Sequence, residues 1–251
     1  MAITLSMPGY ARLRINGARG LVIETCHSTL EAILRDGTLY EYASQQRNAR
    51  EFRGRATAYG ISLGGNCGNV VVRHAMRGGF LGRTGSDLFF PPTRGLRELI
   101  NSLRLKFAGV PTPEVVAFVS YPAAGILRRG DVATREIPES HDLSVVLREM
   151  PEGNDREACV LAARDLLASL AKAGAHHPDL NARNILITWD AHDGAKAHVL
   201  DVDRIQFHVP SDPMVERANL ERLERSLNKL KEKESLPVYE KDLTLLRQSS
   251  A

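Results

Sequence analysis

The stretch that most restricts this chain is His177-Pro178-Asp179-Leu180-Asn181-Ala182-Arg183-Asn184-Ile185-Leu186-Ile187 and, after a break, His198-Val199-Leu200-Asp201-Val202-Asp203. Its character changes by segment: polar loop, apolar triplet, turn residues from Asp190 to Gly194, apolar triplet. Short apolar and β-branched runs bounded by turn residues read as a β-hairpin. Upstream, residues 156–172 place Val160, Ala163, Leu167 and Leu170 on one helical face, and Gly174 closes the helix. A hairpin entered this way sets Asn184 and Asp201 near each other at the ends of adjacent strands, with Asp179 in the loop just before. Hard divalent cations such as Mg²⁺ take carboxylate and amide oxygens together with phosphate oxygens. Asn184 and Asp201 supply such oxygens, and Asp179, held off the metal, can accept a proton from an attacking hydroxyl.

The rest of the chain gives this hairpin a setting. Leu21-Val22-Ile23 reads as a short strand and Ser28 to Leu34 as a helix capped by Ser28 or Thr29. Strands are expected over 55–63 and 69–73, separated by Gly64-Gly65-Asn66, and again over 115–119 and 130–137. Leu96, Leu99, Ile100, Leu103 and Phe107 recur at helical spacing, and Gly109 with Pro111 ends that helix. Beyond Pro138 the pattern turns helical, over 143–150, 156–172 and 214–234, the last with a packing seam of Leu220, Leu223, Leu227 and Leu230. This organisation predicts an α+β fold of two lobes: residues 1–138, strands plus one helix, and residues 139–251, mainly helices around the hairpin.

Composition narrows the setting further. With 251 residues and 43% hydrophobic content the chain can bury a sizeable core. No run reaches the roughly 18 apolar residues of a membrane span, and the start lacks a secretory signal. Cys26, Cys67 and Cys159 lie far apart without a C-x-x-C pair, so they read as packing residues, not as a disulfide framework or zinc site. A soluble, cytoplasmic protein is expected. Residues 1–106 carry 15 Lys+Arg against 7 Asp+Glu, and residues 107–251 carry 18 against 23. That asymmetry fits a cleft with one wall for an anion and the other for cations, and equally an uneven spread of solvated charge. No nucleic-acid partner is expected.

The spacing of Asp179, Asn184 and Asp201 resembles the protein-kinase signature H-R-D-L-x-x-x-N followed by D-F-G, written here H-P-D-L-N-A-R-N and D-V-D. The resemblance implies a protein-kinase-like two-lobed fold, with ATP and Mg²⁺ as cofactors. Such a site needs a cation at the V-A-I-K position and a helix carboxylate to orient it. Val70-Val71-Val72-Arg73 occupies that position, and Lys106 is the only lysine before Lys172. Arg73 is therefore the substitute, always charged and able to hold phosphate through two hydrogen bonds. Glu98 on the next helix is its expected partner. Gly54-Arg55-Ala56-Thr57-Ala58-Tyr59-Gly60 is a loose glycine-rich loop whose small residues let backbone N–H groups approach phosphate. Gly54 and Arg55 join the nucleotide-binding candidates, as do Glu136 and Ile137, in the hinge beside adenine. D-V-D replaces D-F-G, no A-P-E follows, and the remaining chain is too short for a protein-substrate lobe. A small-molecule or glycan hydroxyl is the expected acceptor.

Further segments sharpen the resemblance: Arg73-His74, Arg77-Gly78-Gly79-Phe80-Leu81-Gly82-Arg83, Thr93-Arg94-Gly95-Leu96-Arg97-Glu98, Gly109-Val110-Pro111-Thr112-Pro113 and Glu136-Ile137-Pro138. With Asp201-Val202-Asp203-Arg204 and Asn219-Leu220 to Ser226-Leu227, they resemble the lipopolysaccharide kinase family over about residues 50–230. That implies a phosphotransferase with an alcohol group as acceptor. It would move the ATP γ-phosphate to a sugar hydroxyl of a Kdo–lipid A type glycolipid (Kdo, 3-deoxy-D-manno-octulosonic acid), in peripheral contact with the cytoplasmic face of the inner membrane. A heptose or another glycan acceptor of the same superfamily remains open. An acceptor with carboxylate and phosphates calls for a basic surface. Arg77, Arg83 and Arg94 are candidates for it or for the membrane, and read equally as solvated arginines. His74 and His177 read as structural partners, the latter bracing the loop through its ring nitrogens. Asp203 either assists the cation or caps Arg204. Two other classes compete: a glycosyltransferase using Asp201-Val202-Asp203 as a D-x-D metal site, and a non-catalytic kinase-like module, since the usual lysine is missing.

Overall fold

The structure, a computed structural model, describes residues 7–52, 57–74, 94–123, 127–190 and 194–248. The chain forms two compact units, Met1–Leu99 with Glu114–Glu136, and Ile100–Pro113 with Ile137–Ala251. In chain order the elements are β1 (Tyr10–Ile15), β2 (Ala18–Ile23), α1 (His27–Asp36), α2 (Leu39–Ser44), β3 (Arg50–Phe52), β4 (Ala58–Ser62), β5 (Asn69–His74), α3 (Arg94–Phe107), β6 (Val115–Pro122) and β7 (Arg128–Arg135). They continue with β8 (Ser140–Asp142), α4 (Leu143–Glu149), α5 (Asn154–Lys172), β9 (Ala175–His176), β10 (Ile185–Asp190), β11 (Gly194–Val199), β12 (Gln206–Phe207), α6 (Pro213–Glu234) and α7 (Glu240–Arg247).

The first unit is built on a seven-stranded antiparallel sheet, order β1-β2-β6-β7-β5-β4-β3. β6 lies in its interior and is buried along nearly its whole length, which is why residues 115–122 read as a continuous apolar run instead of an alternating one. Leu30 and Leu34 of α1, Leu39 and Ala43 of α2, and Val70, Val72 and Val116 of the sheet share one core. Thr38 and Glu41 close a capping box on α2: Glu41 N–H donates to Thr38 Oγ1 (3.2 Å) and Thr38 N–H to Glu41 Oε2 (2.9 Å). The Thr38 N–H and the Thr38 hydroxyl both donate to the Glu41 carboxylate and hold it below its ordinary pKa. Gly95 lets α3 approach the sheet, because a Cβ there would collide with the Phe118 ring.

Two expectations need correction here. Ser28 and Thr29 lie inside α1, and Cys26 takes the N-cap position without a side-chain cap. Cys26 and Cys67 are also not mere packing residues: they are joined as a disulfide. Their separation of 41 residues carries no signal, and only the turns before α1 and at Gly65–Cys67 bring them together. Cys159 is free and buried.

The second unit packs α4, α5, α6 and α7 around a three-stranded sheet, order β11-β10-β8, and a two-stranded ribbon, β12 with β9. Leu223, Leu227 and Leu230 of α6 are buried in this core with Leu220 partly so, and the leucine seam therefore packs within the chain. Arg156, buried at the start of α5, pairs with Asp242 of α7 through two parallel bonds (3.0 and 2.6 Å). Its remaining N–H groups reach the carbonyls of Leu147, Met150 and Pro237. Five donors with five acceptors is the condition under which a buried guanidinium is tolerated.

Candidate active site

The loop from His177 to Asn184 is held mainly through its peptide groups. His177 is fully buried, and its Nδ1 accepts the Asp179 N–H (3.3 Å). The ring proton therefore sits on Nε2, which donates to the Leu200 carbonyl (3.0 Å) and ties the loop to the residue before Asp201. The Asp179 carbonyl accepts from Asn181 Nδ2 (2.8 Å) and Asn184 Nδ2 (3.1 Å). With its NH₂ bound this way, Asn184 keeps its amide oxygen for another partner. β10 and β11 pair antiparallel with Ile185 opposite Val199, and Leu200 N–H donates to Asn184 O (2.9 Å). Asn184 and Asp201 thus stand at the same end of adjacent strands, as the hairpin pattern predicts. Asp201 itself is exposed and takes left-handed backbone angles (φ 54°, ψ 44°), which end the strand. The outer edge of β11 is held by Pro111 and Thr112: Val199 N–H donates to Pro111 O (3.0 Å) and Thr112 Oγ1 to Val199 O (2.9 Å).

Burial lowers the His177 pKa below its ordinary value. An unfolded chain takes up a proton on this histidine as pH falls below about 6.5, whereas the native ring resists it. Stability from this group is therefore complete above pH ~6.5 and declines as pH falls toward the lowered native value. Urea unfolding at pH 7.5 and 5.5 should show a loss of stability on acidification that His177→Ala reduces; an equal loss in both proteins removes His177 as its source.

The sequence reading gave no role to several residues of this frame, although Asn219 and Ser226 stand in a segment that resembles the family. Asn219 of α6 is buried, accepts the His177 N–H and donates to Ala175 O, both at 2.9 Å. Arg222 Nε donates to Pro178 O (3.0 Å), and Ser226 Oγ accepts the Ala182 N–H (3.3 Å). The available signal was that Asn219 and Ser226 sit on the buried face of α6 with Leu223 and Leu230. Likewise Asn101, buried on α3, donates to Val202 O (2.8 Å) and steadies the turn after Asp201. Arg204 of the D-V-D-R segment pairs with the Asp179 carboxylate.

In the first unit Arg73 of β5 and Glu98 of α3 form an ion pair, with Glu98 almost entirely buried. His74 Nδ1 lies 2.6 Å from Asp131 Oδ1 on the neighbouring strand, and Tyr40 N–H donates to the other Asp131 oxygen (3.0 Å). Glu136 pairs with Arg50, while its Oε2 is buried without a partner. The Glu136 N–H is committed to Asn69 O (3.1 Å), and the Ile137 carbonyl accepts from Ser140 Oγ (2.7 Å). Gly54, Arg55, Arg77 and Arg83 lie outside the described residues.

Among the described residues no three His, Cys, Asp or Glu side chains gather at metal-binding spacing. One amide and one carboxylate at a strand end instead fit a hard cation that completes its shell with phosphate oxygens and water. The seven-stranded antiparallel sheet upstream is not the nucleotide-sugar α/β domain that a D-x-D glycosyltransferase needs.

The chain is similar to known proteins in both sequence and fold. The model of the lipopolysaccharide kinase (Kdo/WaaP) family matches residues 41–246. The 3-deoxy-D-manno-octulosonic acid kinase of Stenotrophomonas maltophilia (strain R551-3) is 33% identical over 202 residues, covering 78% of this chain and 76% of that protein. The enzyme of the same name from Vibrio parahaemolyticus serotype O3:K6 (strain RIMD 2210633) is 30% identical over 202 residues, covering 78% and 79%. Among solved structures, WaaP in complex with acyl carrier protein superposes with a TM-score of 0.56 at 17% identity, over 91% of this chain and 86% of that one. The α+β kinase-like fold is shared.

Proposed function

The chain belongs to the lipopolysaccharide kinase (Kdo/WaaP) family, and from that premise we propose that it transfers the γ-phosphoryl group of ATP to a sugar hydroxyl, Kdo in the lipid A–core region being the acceptor. The observation that carries the reading is the β10–β11 hairpin, which sets Asn184 and Asp201 at one strand end directly after the loop bearing Asp179. Bound Mg·ATP supplies the phosphoryl group and part of the charge neutralisation that phosphoryl transfer requires. Asn184 Oδ1 and the Asp201 carboxylate are the oxygens that would hold the Mg²⁺. Arg73, oriented by Glu98, donates to phosphate oxygens, as a planar guanidinium can do through two parallel bonds. With Glu136 N–H and Ile137 C=O already committed, Glu136 C=O and Ile137 N–H are the groups that would meet the adenine edge. Asp179 Oδ accepts the proton of the acceptor hydroxyl as that oxygen attacks phosphorus. Gly54, Arg55 and the arginines at 77, 83 and 94 keep their proposed roles toward phosphate and the anionic acceptor.

Among the described residues no helix is long and apolar enough to cross a membrane. The reading sets the enzyme in peripheral contact with the cytoplasmic face of the inner membrane, where a lipid-anchored acceptor is found.

The direct test incubates purified protein with labelled ATP, Mg²⁺ and a panel of Kdo–lipid A and heptose-bearing acceptors. Label on a Kdo sugar supports the reading, label on a heptose moves the acceptor, and ATP binding without turnover restores the non-catalytic module. Two variants probe the assigned roles. Asp201→Ala should raise the Mg²⁺ concentration needed for half-maximal ATP turnover by about tenfold or more, in line with a lost charge-assisted contact of roughly 1.5–3 kcal/mol; an unchanged Mg²⁺ titration sinks its role. Arg73→Ala should weaken ATP binding by a similar factor, while Arg73→Lys, which restores the residue usual at this position, should keep most of the activity.

A further inference from the structure

Among the described residues the three most exposed large apolar side chains are Phe107 (96%), Met214 (78%) and Val209 (73%), all in the second unit. The chain ties them to one neighbourhood. Phe107 lines a groove of about 370 Å³ with Leu103 and Arg104 of α3, closed on its other side by Ala173 and Phe207. Two residues after Phe207, the Val209 carbonyl packs beside Gly174, next to Ala173. Ser211 N–H donates to Ala171 O (2.9 Å) and Asp212 N–H to Val209 O (3.3 Å), which leads the chain to Met214 in the first turn of α6. Apolar groups clustered in this way mark a contact surface, where scattered ones need no explanation.

Cations surround the cluster. The Arg104 guanidinium lies 3.7 Å over the Phe207 ring. Lys106 adjoins Phe107 and Lys172 adjoins Ala173, both exposed. Two carboxylates lie on the same stretch, Asp212, which caps α6 by accepting the Met214 N–H (2.9 Å), and the exposed Glu216 in the first turn of α6, against the three cations Arg104, Lys106 and Lys172. Apolar tips set among long cationic side chains suit a headgroup boundary: the tips enter the acyl edge while the charged ends stay with phosphate. A stable protein partner needs about 800 Å² of matching surface per side, more than three tips and one shallow groove offer, whereas a bilayer presents no shape to match.

We propose that this face docks the enzyme on an anionic bilayer, with Phe107, Val209 and Met214 inserted and Arg104, Lys106 and Lys172 on lipid phosphates. The purpose of such a face rests on the reading of a lipid-anchored acceptor. The same ribbon that carries it, β9 with β12, runs directly into His177–Asp179 on one strand and follows Asp201–Arg204 on the other. Docking would therefore fix the height of the catalytic loop above the lipid.

The test sediments the full chain with vesicles of phosphatidylethanolamine and phosphatidylglycerol, or of phosphatidylcholine alone. Wild-type protein should bind the anionic vesicles about tenfold or more tightly than the neutral ones, and less at high salt. The triple variant Phe107→Ser, Val209→Ser, Met214→Ser should lose about tenfold or more in binding to the anionic vesicles. Lys106→Glu with Lys172→Glu should lose binding to anionic vesicles and flatten the salt dependence. All three proteins should keep the wild-type Tm and the wild-type rate on a soluble, deacylated acceptor. Failure of the wild type to bind vesicles, or equal binding by the triple variant, overturns the proposal. Vesicle binding needs no acceptor. If no acceptor is phosphorylated while the vesicle results hold, the docking face stands and the assigned reaction falls.

Discussion

Replacing Asp179 by alanine is expected to slow phosphoryl transfer by about 10²- to 10⁴-fold, the usual contribution of a positioned general base, with Mg·ATP binding and stability nearly unchanged. The reason for expecting so clean a separation lies in the loop. What Asp179 gives to the fold, it gives through its backbone: its N–H goes to His177 and its carbonyl receives Asn181 and Asn184. The carboxylate pairs with Arg204, and that pair is roughly half exposed on both sides, where such bridges contribute about 0–1 kcal/mol. Alanine therefore removes the proton acceptor and leaves the frame. Single-turnover rates together with nucleotide titration separate the two effects, and a variant within a few-fold of wild type would remove Asp179 as the base.

Asp242→Ala should cost about 3–5 kcal/mol of stability, the range for breaking a buried pair and leaving one charge uncompensated. Arg156 is 1% exposed and has no route to water when its partner is gone. Asp242 also accepts the Tyr239 N–H (2.9 Å) at the start of α7, so one substitution removes both the counter-charge and a helix cap. The double replacement Arg156→Met with Asp242→Leu should be far milder, because no unpaired charge is left buried. Urea unfolding followed by circular dichroism reads both, and a loss below about 1 kcal/mol for Asp242→Ala would show that the site relaxes or hydrates.

The long elements were legible because their periodicity is long enough to carry a signal. α3, α5 and α6 each place apolar residues at helical spacing over three turns or more, and the β10–β11 hairpin has apolar triplets separated by turn residues. β3, β8, β9, β12 and α2 span six residues or fewer. Their formation depends on partners distant in sequence, such as Gln206 for His176 or Thr188 for Ser140. The placement of Asn184 beside the start of Asp201 followed from local pattern alone. The frame around it did not: Asn101, Asn219, Arg222 and Ser226 act on peptide groups that nothing in their own neighbourhood announces. A polar residue on an otherwise apolar helix face, and for Asn219 and Ser226 a place in a family-like segment, were the traces they left.

Four contacts from α6 to the catalytic loop and the strand before it fall on backbone groups, the Ala175 carbonyl, the His177 amide, the Pro178 carbonyl and the Ala182 amide, and one more joins the exposed Arg183 side chain to Glu234 at the end of α6 (2.7 and 2.8 Å). A clamp that grips the main chain is indifferent to most of the letters written along it. Re-lettering Arg183 therefore costs only its exposed pair with Glu234, about 0–1 kcal/mol, and this scaffold is a natural starting point for recruiting new acceptors by directed evolution, provided that the buried face of α6 is left untouched.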